Sequence, residues 1–591
     1  MRTFIKNQHG FIVFLSLLMV MISLGYTVGY LHFVMGERIL FSQRFAETRA
    51  RYNAISGLTP INALIRSPSY NTDADTTLDD QDIDEMIGGY RDVTASMVEN
   101  LRTHRSERHG RATGWSTYNS FVNEPIEVEY TMEVKYRARG FEEFMYLTNE
   151  EAPGGGPWLG TTVNFGSGEV LEGLVYSNDD ITMSNFGCPE FVDYETDTEY
   201  EQSQVYTAGV FNLGSCNENS IFEGVHRDSM PRIEWPPYEG QDLVKSKADY
   251  FYAGNALINT LDPDHEDFHI MTNLEFSPGQ IKVTQWAYQL PPLELPATPG
   301  EQAAFDKNMK MYHPVHYRNE NLLGQNVYRG DMEFQHFDFP PPADPADYIT
   351  DDVIITPEAV IWIDGGQVQV QSATGARIRG RYTIATSTPQ PYKMAHDDET
   401  IRELNCNIWI MNDLLYEGSQ TNGYIMPGNP NRLGLLSGGN IIVANTTANG
   451  KRNSASGADV RINAAMIAMN ESFMIQYWQN STTGYNFLDG TAIKGDGRGV
   501  RPFVPATGTA DIRGDVMIYG SVVQDKRGYL KRNAPPPGTG GYNITPGIGY
   551  EKDYHYDRNL RKFPPPEWPE TKNSDGSSSL ELSGIGEYLG E

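Results

Sequence analysis

The sequence predicts a mainly β protein. One long N-terminal helix, transmembrane in its first part and amphipathic in its second, leads into β-rich domains, with a parallel β-helix (solenoid) in the C-terminal half. Three observations carry that prediction. From residue 10 through residue 36 there is no Asp, Glu, Lys or Arg. From Val122 onward the apolar residues recur at period two instead of helical spacing. In the last 250 or so residues, short Val/Ile-rich runs such as AVIWIDGGQVQV and DIRGDVMIYGSVVQ return between Gly, Asn and Asp turns.

The helix comes first. At about 1.5 Å per residue, residues 11–34 cover the roughly 30 Å hydrocarbon core of a bilayer with some tilt. Arg2 and Lys6 precede the span, which predicts a cytoplasmic leader at 1–10 and an exported remainder. Past Gly36 the chain runs without proline to Pro60. Phe41, Phe45, Thr48, Tyr52 and Ile55 fall at four-three-four-three spacing, one stripe of a helix, among mixed charges such as Glu37, Arg38, Glu47 and Arg51. A cleavable secretory signal would be shorter and followed by a small-residue site, and no Ala-x-Ala-like site follows Gly25 or Gly36. A plain single-span anchor remains the simpler alternative.

This N-terminus resembles that of type IV pilin-like proteins, particularly minor pilins and the pseudopilins of type II secretion. The likeness rests on residues 1–66: a short basic leader, Gly10 at the cleavage position, and Phe11 as first mature residue. It implies that a prepilin peptidase cuts between Gly10 and Phe11 and methylates the new amine. It also implies a bacterial inner-membrane protein whose helix packs among other pilin-like subunits. One position departs from the pattern. Family members usually carry Glu five residues into the mature chain, where this chain has Leu15. In the family that carboxylate pairs with a neighbour's N-terminal amine, so its absence points away from a repeating major subunit and towards a tip-located minor one.

Residues 67–120 read as an acidic linker. Within it, NTDADTTLDDQDIDEMI places oxygen ligands at Asn71, Asp73, Asp75, Asp79 and Asp82, with the Thr77 carbonyl at position seven. That is the spacing by which a short loop wraps a structural Ca²⁺. The usual glycine at position six is Thr76, and residues 83–87 would open the following helix. The plainer reading is a solvated acidic linker.

An N-terminal β-rich domain is expected over 121–345, opening with Ile126, Val128, Tyr130, Met132, Val134 and Tyr136 in strict alternation with polar residues. A β-helix-like domain should follow over 346–565, divided from the first by the proline-rich 339–345, with a flexible tail at 566–591. Gly365–Gly366 and Gly438–Gly439 read as turns between strands. With three cysteines the chain is no disulfide scaffold; Cys188 and Cys216 are the pair an oxidising compartment would join, leaving Cys406. Blocks such as GLVYSNDDI, INAAMIAMNESF and YHYDRNLRKFPPPEWP look like a bacterial envelope family of uncharacterised function that joins a pilin-like helix to a β-helical region. That likeness carries no catalytic residue set.

A net charge of −31 disfavours nucleic acid and anionic membrane surfaces as partners. There is no Walker loop, GxSxG, CxxC or HExxH. The pairs Asp179–Asp180, Asp351–Asp352 and Asp397–Asp398 are candidates for polysaccharide cleavage, but neighbours on a strand point to opposite faces. His265 with His269, and His313 with His316, are candidate zinc pairs whose commoner role is structural. The 34 Tyr, 25 Phe and 8 Trp suit either a carbohydrate- or protein-binding face or filled β-layers. The expectation is a membrane-anchored, exported structural or adhesion protein of the cell envelope, a minor pilin-like component of a filament. The alternatives are an anchored β-helix enzyme acting on polysaccharide, a pseudopilin that primes a secretion piston without a ligand, and a simple single-span surface protein.

Overall fold

The uncharged run and the amphipathic run after it form one helix, Arg2–Ile65, with Pro60 inside its last turns. The computed structural model describes residues 2–67, 70, 76–79, 81–84, 88–100, 105–120, 122–153, 164–183, 187–196, 199–235, 238–258, 268–289, 298, 340–393, 401–450, 458–476, 511–528, 530–532, 548–572 and 579–588. These form a mainly β chain behind one long apolar helix, and the chain divides into two compact units. The first comprises Met1–Leu101, Arg105–Ala138 and Ser577–Glu591; the second holds Arg102–His104 and Arg139–Gly576.

In the first unit, Gly88–Asn100, Arg105–Asn119 and Pro125–Ala138 form an antiparallel meander. Thr76–Leu78 and Gln81–Asp84 pair with its first strand, and Leu580–Glu587 pairs with its last. Much of the segment expected as a linker is therefore sheet. The helix expected from residue 83 is not formed either, because Gln81–Asp84 folds back antiparallel onto Gly88–Tyr90. The last segment is likewise no loose tail: Leu580–Glu587 saturates the sheet edge, and Arg137 binds Glu581 at 2.7 Å.

The helix meets this sheet through a face the apolar spacing did not single out. Ala46, Ala50, Ala54, Leu58, Ile61 and Ile65 are buried, whereas Phe41, Phe45, Tyr52 and Ile55 stay exposed. The reason is close approach. A Cβ on Gly114 would stand 2.0 Å from the Ala50 carbonyl oxygen and 2.2 Å from the Ala54 nitrogen. Only alanines against glycine allow that distance, and the bulky stripe is left turned away.

The second unit is built on two long ladders. In one, ten strands from Val225–Arg227 through Asp511–Arg527 to Tyr250–Tyr252 are all parallel. In the other, Phe268–Ser277, Gln367–Ser372, Ile408–Ile410, Ile441–Val443 and Phe473–Ile475 run parallel. The chain alternates between them: Glu358–Ile363 in the first, Gln367–Ser372 in the second, Arg381–Thr386 in the first, and so on to Asp511–Arg527. Gly365 and Gly366, at φ +88° and +80°, make one of these reversals, as the sequence predicts. Strand runs such as Arg432–Ser437 are buried along their whole length, as parallel sheets covered on both faces are.

No boundary falls at residues 339–345. Tyr250–Tyr252 and Phe268–Ser277, before the prolines, pair with Glu358–Ile363 and Gln367–Ser372 after them. The late proline run lies flat across the first ladder. Phe563 and Pro566 carbonyls accept from Arg432 and Thr383, and Trp568 covers Gly434, where a Cβ would sit 2.3 Å from its ring. Proline suits this strap because it needs acceptors only. Ile401–Leu404 is a strand paired antiparallel with Gln390–Lys393.

Candidate ligand-binding cleft

Five segments of the second unit converge on one cleft. The hairpin Tyr194–Glu195/Tyr200–Glu201 forms one wall. Glu172 at the end of Glu169–Glu172, the loop around Tyr424–Gly428, Tyr519 of Asp511–Arg527, and the end of Ile548–Tyr556 with the short helix Arg558–Arg561 supply the rest. Asp557 caps that helix by accepting from the Asn559 amide, and fixes the direction of the arginines after it. The cleft encloses about 760 Å³.

Its aromatic residues are locked against one another. Tyr194 and Tyr424 bring their hydroxyls to 3.4 Å, Tyr424 stands edge-on to Tyr519 at 5.9 Å, and Tyr519 stacks on His555 at 4.5 Å. Arg558 lies 4.3 Å over the Tyr194 ring, a cation–π contact. The arginine charges are tied up within the walls. Arg558 donates to Glu199 at 2.6 Å and to Glu201 at 2.9 Å, and Arg561 reaches Glu201 at 2.7 Å.

His555 sits between two carboxylates, Nδ1 at 3.1 Å from Glu172 and Nε2 at 2.8 Å from Asp553. Burial alone would depress its pKa, but the two carboxylates outweigh it and push it up to about 9. An unfolded histidine titrates near 6.5, so this ion pairing stabilises the fold fully below about pH 6.5 and is lost as pH rises through about 9. The effect is of order 1–3 kcal/mol. Lys552, pushed down to about 8 by burial, acts in the opposite sense, so total stability hides the histidine. The expected result is a difference in urea stability between wild type and His555→Gln that shrinks from pH 6.5 to 9.5. A constant difference would mean that the imidazole carries no charge.

A second polar cluster lies in the interior of the same unit. Arg527 donates to Glu151 at 3.0 Å and Glu169 at 3.1 Å, and Lys552 donates to Glu169 at 2.8 Å. The Phe165 ring lies 3.4 Å from the guanidinium. All four charged residues are buried, and they join strands that meet in the first ladder.

The residues singled out from sequence fall elsewhere. Gly10 has nothing within 4 Å, and Phe11 is 65% exposed on the bare part of the helix. Asn71, Asp73 and Asp75 lie outside the described residues. Thr77 is in a strand opposite Thr94, Asp79 follows that strand, and Asp82 is placed opposite Gly89. Among the described residues no group of three His, Cys, Asp or Glu is placed to hold a metal. Cys188 and Cys216 are joined in a disulfide, Cα–Cα 5.8 Å, and Cys406 is buried.

Asp179 and Asp180 bind the backbone amides of Glu151 and Val210. Asp351 pairs with Lys282, and Asp352 accepts from Tyr252. Both pairs are thus engaged in turns and strand contacts. Asp397 and Asp398 lie outside the described residues, as do His265, His313 and His316. His269 is buried against Tyr288. The cleft residues were not singled out by the spacing, although YHYDRNLR packs aromatic and charged side chains densely enough to have flagged one wall. No family model matches the chain, and neither a curated protein nor a solved structure matches it.

Proposed function

We propose that this is an envelope protein anchored by its N-terminal helix, a minor pilin-like subunit that displays a β-solenoid body for adhesion or assembly. The carrying observation is the division of the helix. Its buried residues begin at Ala46, while the apolar side chains from Phe11 to Met35 and the later Phe41, Phe45, Tyr52 and Ile55 are bare. Water would not tolerate such a helix alone, but a bilayer covers its first half and neighbouring helices can cover the stripe beyond. Arg2 and Lys6 favour a cytoplasmic N-terminus.

The solenoid reading is supported by the regular alternation of the chain between two parallel ladders and by stacked asparagines at its turns. Asn407 Oδ1 accepts from the Asn440 amide at 2.8 Å, and Asn440 Oδ1 accepts from the Ser472 amide at 3.2 Å. Each turn thereby satisfies the next.

N-terminal sequencing and intact mass of the protein from its native membrane test the anchor and its processing. A mature chain starting at N-methylated Phe11 is the expected result. A chain retaining Met1 or Arg2 would leave a plain anchor, and a start beyond Gly25 would mean ordinary secretion and remove the proposal.

A further inference from the structure

We infer that the cleft between the Tyr194–Tyr200 hairpin and the Arg558–Arg561 helix is a binding site for an uncharged oligosaccharide. Four properties converge on that ligand. The volume, about 760 Å³, lies within the range of ligand sites and accommodates several sugar rings. Its walls carry Tyr194, Tyr200, Tyr424, Tyr519 and Tyr556. A tyrosine offers an apolar face and a polar tip, which complement the C–H faces and hydroxyl rims of a pyranose.

The charge of the walls decides against an anion. The lining includes three acidic and three basic side chains, Glu172, Glu199 and Asp557 against Arg558, Arg561 and Lys562. Both arginines, and His555 behind the rings, are already held by carboxylates, which leaves Lys562, among the described residues, as the one lining cation set against Glu172, Glu199 and Asp557, and little net positive field for a phosphate or a uronate. The paired carboxylates keep free lone pairs, which accept from sugar hydroxyls. A peptide is the less suitable occupant, since Ile425, Pro427 and Phe563 are the few apolar side chains of the lining that could seat an anchor.

The rings are also fixed before any ligand arrives. The run Arg558–Tyr194–Tyr424–Tyr519–His555 is held by consecutive contacts of 4.3, 3.4, 5.9 and 4.5 Å. Such a row loses little side-chain freedom on binding. Tyr200, 61% exposed, stands at the rim with its hydroxyl on Asp193. This inference is independent of how the N-terminus is processed, and its failure would leave the anchor reading standing.

The test uses the full chain in a detergent without a sugar headgroup. It is applied to an array of neutral gluco-, manno-, galacto- and N-acetylglucosamine oligosaccharides, followed by calorimetry on the best ligand. Saturable binding is expected, weakened tenfold or more by Tyr194→Ala and by Tyr424→Ala. Tyr424→Phe, which keeps the ring, should retain most of the affinity and controls for folding, together with an unchanged circular dichroism spectrum. No binding by the folded protein to any neutral oligosaccharide at millimolar concentration would overturn the inference. So would binding unaffected by both alanine variants, or preferential binding of peptides or anionic glycans in the same cleft.

Discussion

Arg527→Ala is expected to lower the stability of the second unit by about 3–5 kcal/mol, the cost of stranding a buried charge. Arg527, Glu151, Glu169 and Lys552 form a neutral set of two cations and two anions, all buried. Removing the guanidinium leaves one uncompensated carboxylate in the core. It also removes the group that spans 376 residues of sequence between Glu151 and Arg527. Arg527→Lys should fall between, because one ammonium cannot bridge two carboxylates and lie flat on Phe165.

The decisive comparison is the double variant Arg527→Met with Glu151→Leu. It restores neutrality, leaves Glu169 with Lys552, and leaves Thr148 its bond to Ser177 at 3.1 Å. At least half of the lost stability should return, measured as the urea midpoint at constant m-value. A double variant worse than the sum of the single changes would show that the cluster acts through its shape and not through its charge.

Gly114→Leu should separate the helix from its sheet. The new Cβ would fall 2.0 Å from the Ala50 carbonyl oxygen, and backbone atoms cannot swing aside as a side chain can. The cost should reach or exceed the upper end of the ~1–3 kcal/mol usual for overpacking. Hydrogen exchange should therefore rise over 46–65 and 105–119, while 358–386, 432–443 and 460–475 in the second unit stay protected. Gly29→Ala, with nothing within 4 Å of the added methyl, is the contrasting change and should leave exchange as it was. Equal loss of protection in both units after Gly114→Leu would mean that they do not unfold separately.

What could be read in the sequence was local. Residues 10–36 spell an apolar helix because every side chain there is uncharged, and that needs no partner. Ile126 to Tyr136 spell a strand because alternation is a property of one segment, and the structure keeps them in Pro125–Ala138. The glycine pair at 365–366 marks a reversal because the turn's own backbone, at positive φ in both residues, requires it, whereas Gly438, also at a reversal, is needed because a Cβ there would stand 1.6 Å from the Ser387 carbonyl oxygen.

Everything that depended on a partner was decided by the tertiary structure. The stripe of Phe41, Phe45, Tyr52 and Ile55 is the more apolar face of the helix, yet Ala46, Ala50 and Ala54 face the sheet, since glycine strands accept only a small-residue surface so closely. The prolines at 339–345 look like a boundary, but strands on both sides join the same ladders. Leu580–Glu587 looks loose in a Ser- and Gly-rich context, but an open sheet edge gives its backbone partners. The cleft is the extreme case. Tyr194, Tyr424, Tyr519 and His555 meet only after hundreds of residues have been wound into register, and neither period two nor period 3.6 carries information about which distant strand will lie alongside.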